Sequence, residues 1–248
     1  MKDCNPQDTP LPYKPDEDPN HKVLFNNVVL YQQIIGSLIY LANSTRPDIT
    51  FSVSYLARYM AAPTLASYNQ AKHVLRYLKG TMNLSLQYSK TDQPLVGYSD
   101  AEYAGDKADR RSVGGYVFIQ SGAAITWRCS KQPIVSQSAM EAELIALTEA
   151  GKEALWLRKF QAELFPTIKA PTLINEDNQS AIDFVDNPIH SNRSKHIDVR
   201  YLVAREWINN KQISVLHCPG EIQTADIMTK PLQKVLHLRH REAMGLRA

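Results

Sequence analysis

The hydrophobic period of this chain changes twice along its length, and those changes limit its fold more than any other feature. From Tyr31 the apolar residues Ile34, Ile35, Leu38, Ile39 and Leu41 recur every three or four positions, the repeat of one helical face. Pro47 is placed to open a second helix through Val53 and Leu56 to Met60. A third follows Pro63, with Tyr68, Ala71, Val74, Leu75 and Leu78 on one side and Gly80 at its end. Between Leu84 and Trp127 the pattern shortens to β-branched and aromatic runs punctuated by glycine: Leu95-Val96-Gly97-Tyr98, Tyr116-Val117-Phe118-Ile119 and Ala124-Ile125-Thr126-Trp127. Such runs predict three antiparallel strands. Residues 138–165 return to a helical period on Leu144, Leu147, Ala150, Ala154, Leu155 and Leu157. A short strand over 172–175, a helix opening at Asp177, a helix over 197–209, a strand over 212–217 and a last helix from Thr224 complete the order β-β-β-α-β-α-α-β-α. That order predicts an α/β architecture, a mixed five-stranded sheet flanked by helices and preceded by a small helical unit.

The divisions follow. Residues 1–26 carry Pro6, Pro10, Pro12, Pro15 and Pro19 among charged residues, a composition that suits an extended, weakly ordered tail or linker. Residues 27–82 form the helical unit, 85–232 the sheet domain and 233–248 a C-terminal tail. With 44% hydrophobic and 21% charged residues the chain belongs with globular proteins, and no apolar run approaches the roughly 20 residues of a membrane span. The polar start, Met-Lys-Asp-Cys-Asn-Pro, has no apolar stretch behind a basic cap, so an intracellular protein is expected. Cys4, Cys129 and Cys218 lack the paired short spacing of a zinc site and predict three free thiols. A net charge of +3 does not by itself mark a nucleic-acid binder.

Four acids stand where chemistry can use them. Cutting a phosphodiester with two divalent metals takes several carboxylates converging from different elements, because hard Mg²⁺ binds oxygen and keeps positions open for water and phosphate. Asp100 closes the first predicted strand, Glu143 lies on the first long helix, Asp177 stands between a strand and a helix, and Asp226 opens the last helix. Each has a plainer reading: Asp177 and Asp226 as acids favoured in a first helical turn, Glu143 as a surface residue. Glu102, Asp106 and Asp109 read as exposed loop acids. Glu141 and Glu143 point to different sides of one helix, and spacing does not choose between them.

The strings around these acids carry a resemblance. Tyr98-Ser99-Asp100-Ala101-Glu102-Tyr103-Ala104-Gly105-Asp106, Arg110-Arg111-Ser112, Ile125-Thr126-Trp127 and Glu141-Ala142-Glu143 come first in order. Glu153-Ala154-Leu155-Trp156-Leu157, Asp177-Asn178-Gln179-Ser180-Ala181-Ile182, Arg193-Ser194-Lys195-His196-Ile197 and Ala225-Asp226-Ile227-Met228-Thr229-Lys230-Pro231-Leu232 follow. Together they resemble the ribonuclease H domain of copia-type LTR retrotransposon Pol polyproteins. Upstream, Ile35-Gly36-Ser37-Leu38-Ile39-Tyr40-Leu41, Thr45-Arg46-Pro47-Asp48-Ile49 and Leu75-Arg76-Tyr77-Leu78-Lys79-Gly80-Thr81 resemble the thumb or connection segment that joins reverse transcriptase to ribonuclease H in that family. No Tyr-Val-Asp-Asp-type polymerase motif occurs, so no polymerase activity is expected, and the chain reads as the C-terminal end of a larger Pol protein.

The resemblance implies a ribonuclease-H-like fold and hydrolysis of the RNA strand of RNA/DNA hybrids. It implies two Mg²⁺ ions, about 3.5 to 4 Å apart and replaceable by Mn²⁺, held by Asp100, Glu143, Asp177 and Asp226. It thereby favours Glu143 over Glu141. His217 would be an auxiliary residue before the final Asp. Arg110, Arg111, Asn178, Arg193, Lys195 and His196 would contact the hybrid, or else form a solvated face. The expected partners are the RNA/DNA hybrid and the reverse transcriptase portion of a Pol protein, in the cytoplasm, a virus-like particle or the nucleus. Ala139-Met140, Leu144, Cys129 and Gly114 depart from the family pattern beside the site. A catalytically silent nucleic-acid-binding remnant is the alternative. A transposase or integrase of the same broad fold is disfavoured by the fourth acid and by the lack of a His/Cys zinc module.

Overall fold

The computed structural model describes residues 3–164, 170–186 and 198–248. Helix α1 (Val28–Ser44) begins at Asn27, whose side chain accepts from the Leu30 amide. Helix α2 (Thr50–Ala57) follows a proline-led turn, and α3 (Leu65–Gly80) opens on a reciprocal Thr64/Ser67 capping box. Their apolar faces meet in one core containing Tyr31, Ile35, Leu38, Val53, Leu56, Val74 and Tyr77.

A two-residue strand, β1 (Ser85–Leu86), leads into the main sheet of β2 (Val96–Glu102), β3 (Val113–Gln120) and β4 (Ala123–Lys131). Then come α4 (Ala139–Leu164), β5 (Thr172–Glu176), α5 (Gln179–Asp186), α6 (Asp198–Asn209) and β6 (Ile213–His217). The strands lie in the order β4-β3-β2-β5-β6, with β2, β3 and β4 antiparallel and β5 and β6 parallel to β2. This is the expected mixed sheet of five strands, with helices on its faces.

Period-2 alternation lets the sheet bury both faces. Tyr116 and Phe118 of β3 pack with Leu144, Leu147, Ile174 and Ile213 beneath α4, while Val117 between them joins a second cluster with Ile227, Met228, Leu232, Met244 and Leu246. The second cluster is supplied by a single helical turn, α7 (Asp226–Thr229), by α8 (Lys234–Ala243) and by β7 (Leu246–Arg247), which pairs antiparallel with β1. Thus the last helix expected from Thr224 is two short helices. The stretch 233–248, expected as a tail, is a helix and a strand. Its anchors are the buried His237, His240, Met244 and Leu246. Gly245, at φ +78°, makes the turn between α8 and β7, where a Cβ would lie 2.5 Å from the Gly122 carbonyl oxygen.

The proline-rich stretch also differs from a loose tail. It stays extended, as its prolines require, but α3 side chains take up its carbonyls: Lys79 Nζ on Cys4 O at 2.8 Å, Arg76 Nε on Asn5 O at 2.7 Å and Gln70 Nε2 on Pro15 O at 2.7 Å. Leu11 is buried in the helical core.

Buried polar groups join the helical unit to the sheet. Arg46 forks onto Asp48 at 2.9 and 2.8 Å, Tyr77 donates to Asp48 at 2.6 Å, and His237 of α8 lies 3.1 Å from the Tyr77 hydroxyl. Trp127 Nε1 of β4 donates to the Ala42 carbonyl of α1 at 2.8 Å. Asp106, expected as an exposed loop acid, is buried between Arg58 of α2 at 3.0 Å and Lys131 of β4 at 2.5 Å. Among the described residues no helix is long and apolar enough to cross a membrane.

Candidate active site

The site forms where two parallel strands end side by side. Strand β2 pairs with β5 from Val96 to Tyr98 and runs on to Glu102, so Asp100 lies just past the shared ladder. Asp177 follows directly on the last residue of β5, and Glu143 comes in from the second turn of α4. One carboxylate oxygen from each of Asp100, Glu143 and Asp177 lies within 4.8 Å of the others. Asp226 is the first residue of α7 and lies outside that tight trio. It reaches the cluster through Lys230, whose Nζ is 2.9 Å from Asp226 Oδ1 and 4.0 Å from Asp100 Oδ2. Thr229 Oγ1, one residue before, donates to Asp100 Oδ2.

What lets α7 approach so closely is Gly115, the β3 residue paired with Asp100. A Cβ there would lie 2.5 Å from Met228 Cβ and 3.1 Å from the Arg128 carbonyl oxygen. Gly115→Ala is therefore expected to push α7 off the sheet and to cost about 1 to 3 kcal/mol. Urea denaturation of the variant measures this, and an unchanged midpoint would show that α7 is not seated on β3.

The two glutamates that spacing left undecided separate cleanly. Glu141 Oε2 accepts from the Gln137 amide at 2.6 Å, which ties it to the start of α4, whereas Glu143 enters the cluster. Asp177 is not a first-turn acid, because α5 starts two residues later behind an Asn178 cap whose Oδ1 accepts from the Ala181 amide at 3.1 Å. Asn178, expected to contact substrate, is thus engaged in capping. His217 ends β6 opposite Glu176 and is exposed. Arg110 and Arg111 lie in the turn after β2, with Arg111 paired to Asp109 at 3.7 Å. Arg193, Lys195 and His196 lie outside the described residues.

Sequence reasoning missed a fifth carboxylate. Glu176 is fully buried, accepting from Ser99 Oγ at 2.9 Å and from the Asn178 amide at 3.2 Å. Thr172, Ile174 and Glu176 alternate on the buried side of β5, so an acid in phase with core residues was the available signal. Gln223 was also missed. It is buried, donates to Ser99 O at 2.9 Å and accepts from the Ala225 amide at 3.3 Å, which sets the approach to α7.

Crowding of like charges away from water governs the electrostatics. Burial, then Glu176, Asp100 and Asp177, push the Glu143 carboxyl up to about 11. Burial and Asp100 raise Asp226 to about 7 against the opposing pull of Lys230. Asp177 is raised by burial and Asp100, and Glu176 is raised well above its ordinary value by burial. Glu143 Oε2 is buried with no hydrogen-bond partner among the described residues. Clustered carboxylates and an unsatisfied buried oxygen form the donor set of a hard divalent cation, which would offset their repulsion and complete that oxygen.

No model of a known protein family matches the chain. It is 39% identical over 218 residues, 88% of its length, to the retrovirus-related Pol polyprotein from transposon TNT 1-94 of Nicotiana tabacum. To the retrovirus-related Pol polyprotein from transposon RE2 of Arabidopsis thaliana it is 33% identical over 247 residues, 99% of its length. The chain spans 16% and 17% of the lengths of those two relatives. Among solved structures it is similar to LC11-RNase H1, crystallised in complex with RNA/DNA hybrid, with a TM-score of 0.42 and 13% identity over 55% of this chain and 94% of that one. Because the identity to the two polyproteins extends through the helical unit as well as the sheet that carries the carboxylates, the chain is homologous over most of its length to a part of copia-type retrotransposon Pol polyproteins.

Proposed function

We propose that the chain is an endonuclease that hydrolyses the RNA strand of RNA/DNA hybrids, working as the C-terminal part of a Pol protein. The observation that carries this reading is the meeting of Asp100, Glu143 and Asp177 within 4.8 Å beside the ends of β2 and β5, in a chain homologous to part of Pol polyproteins. Residues 85–232 are the nuclease domain in this reading, and residues 27–82 are the connection to a reverse transcriptase portion.

Asp100, Glu143 and Asp177 would hold the metal, with Asp226 completing the set. Magnesium ions bound there supply a more acidic water and positive charge at the phosphate being cut. The chain's own residues do the positioning. Thr229 and the β2 ladder fix the Asp100 carboxylate, and Glu176, tied by Ser99 and the Asn178 amide, braces the segment that carries Asp177. Recognition of the hybrid would rest on its shape, phosphates and 2′-hydroxyls rather than on base sequence.

The test is incubation of the purified chain with end-labelled hybrid in Mg²⁺. Internal cuts are expected in the RNA strand alone, with none in single-stranded RNA or duplex DNA, and EDTA should stop the reaction. A chain that binds the hybrid but leaves it whole would overturn the nuclease reading in favour of a silent binding remnant.

A further inference from the structure

Among the described residues Lys230 is a cation held against the carboxylate cluster, and the way it is held suggests more than an ion pair. Asp226 and Lys230 stand at the two ends of one helical turn, closed by the Lys230 amide on the Asp226 carbonyl at 3.2 Å. From there Nζ reaches both Asp226 and Asp100, at 2.9 and 4.0 Å. Its positive charge also favours the ionised forms of Glu102, Glu143 and Asp177. About a third of the side chain is exposed, beside a groove of about 290 Å³ whose lining sets Arg58 and Lys107 against Asp16, Glu17 and Glu102.

An ammonium on a four-carbon stem is a compact, mobile point charge. Where it stands, it answers the carboxylates as a divalent ion would, with half the charge. A metal ion that binds Asp226 Oδ1 has to displace Lys230 from it, and the groove gives the displaced ammonium room to turn. We propose that Lys230 is a resident cation of the site: it competes with divalent metal for Asp226 and Asp100, then turns into the groove to meet the nucleic-acid backbone. This rests on the metal-dependent nuclease reading above.

Metal affinity without substrate tests it. Mn²⁺ binding is measured by electron paramagnetic resonance on the intact chain, on Lys230→Gln, on Lys230→Arg and on Asp177→Asn. Lys230→Gln is expected to bind Mn²⁺ on the order of tenfold more tightly, a modest figure because the lysine is partly solvated. Lys230→Arg should return toward the parent's affinity, and Lys230→Gln should bind hybrid severalfold more weakly in Ca²⁺. A purely structural lysine predicts the reverse for metal, a loss of affinity as α7 loosens. Unchanged or weaker Mn²⁺ binding by Lys230→Gln, with binding still lost in Asp177→Asn, overturns the resident-cation proposal alone. If parent and Asp177→Asn bind Mn²⁺ equally, the carboxylate site itself falls, and this proposal with it. Should Lys230→Gln fold poorly, Lys230→Met keeps the aliphatic stem and is read in the same way.

Discussion

Asp100→Asn is expected to lower single-turnover cleavage of hybrid by at least about a thousandfold while leaving the chain folded. Asp100 is the acid on which the site converges: it lies within 4.8 Å of Glu143 and Asp177, faces Lys230 at 4.0 Å and accepts from Thr229 Oγ1. Asparagine keeps the size and one oxygen for Thr229, so the α7 contact survives and only the charge is lost. That loss acts in opposite directions on the two properties. Metal binding and turnover collapse, whereas the metal-free protein sheds one of several crowded negative charges and should melt no earlier than the parent. A merely structural aspartate would lower both. Cleavage kinetics in Mg²⁺ and thermal melts in EDTA measure the pair, and turnover within tenfold of the parent would remove Asp100 from the machinery.

Without metal, the protein should lose stability as pH rises from about 4 to 7. Glu143 and Asp226 have folded-state values pushed up by burial to about 11 and about 7, above the ordinary 4.5 and 3.8. Between the two values the folded chain retains a proton that the unfolded chain has released, so unfolding becomes easier as pH increases. Below the unfolded value neither state is ionised and the penalty vanishes. For Asp226 alone the shift corresponds to about 4 kcal/mol, accumulated by pH 7, at about 1.4 kcal/mol per unit. Burial raises and Lys131 lowers the Asp106 carboxyl, with Lys131 prevailing, so that group tilts the curve the other way. It does so with or without metal, and the difference between urea midpoints in EDTA and in Mg²⁺ isolates the cluster. That difference should widen from pH 4.5 to 7.5; parallel curves would contradict the crowding described here.

The regular elements were readable because each repeats its signal. Leu144, Leu147, Ala150 and Ala154 mark the buried face of α4 with the period of a helix, and Tyr116-Val117-Phe118 splits between two cores with the period of a strand. The four candidate acids stood out only through the strings around them, since a lone acid after a strand or in a first turn has ordinary explanations; three of them, Asp100, Glu143 and Asp177, meet in the structure. Contacts distant in sequence were beyond local reading. Nothing near Asp106 announces Arg58 and Lys131, and nothing in the prolines before Asp16 announces Gln70, Arg76 and Lys79 on α3. Helix α8 was hidden for another reason: its most buried side chains, His237 and His240, are not apolar, so its pattern reads as a charged tail.

The seating of α7 on Gly115 also orders events in time. A ribosome that has delivered Asp100, Glu143 and Asp177 has yet to deliver the turn with Asp226, and strand β7, which closes onto β1, comes later still. All five strands of the main sheet are already synthesised by then, so the pairing of β1 with β7 and the docking of α7 are late, long-range steps of folding. A nascent chain therefore carries three clustered acids before the fourth, and premature termination anywhere before Asp226 yields a sheet without that last carboxylate.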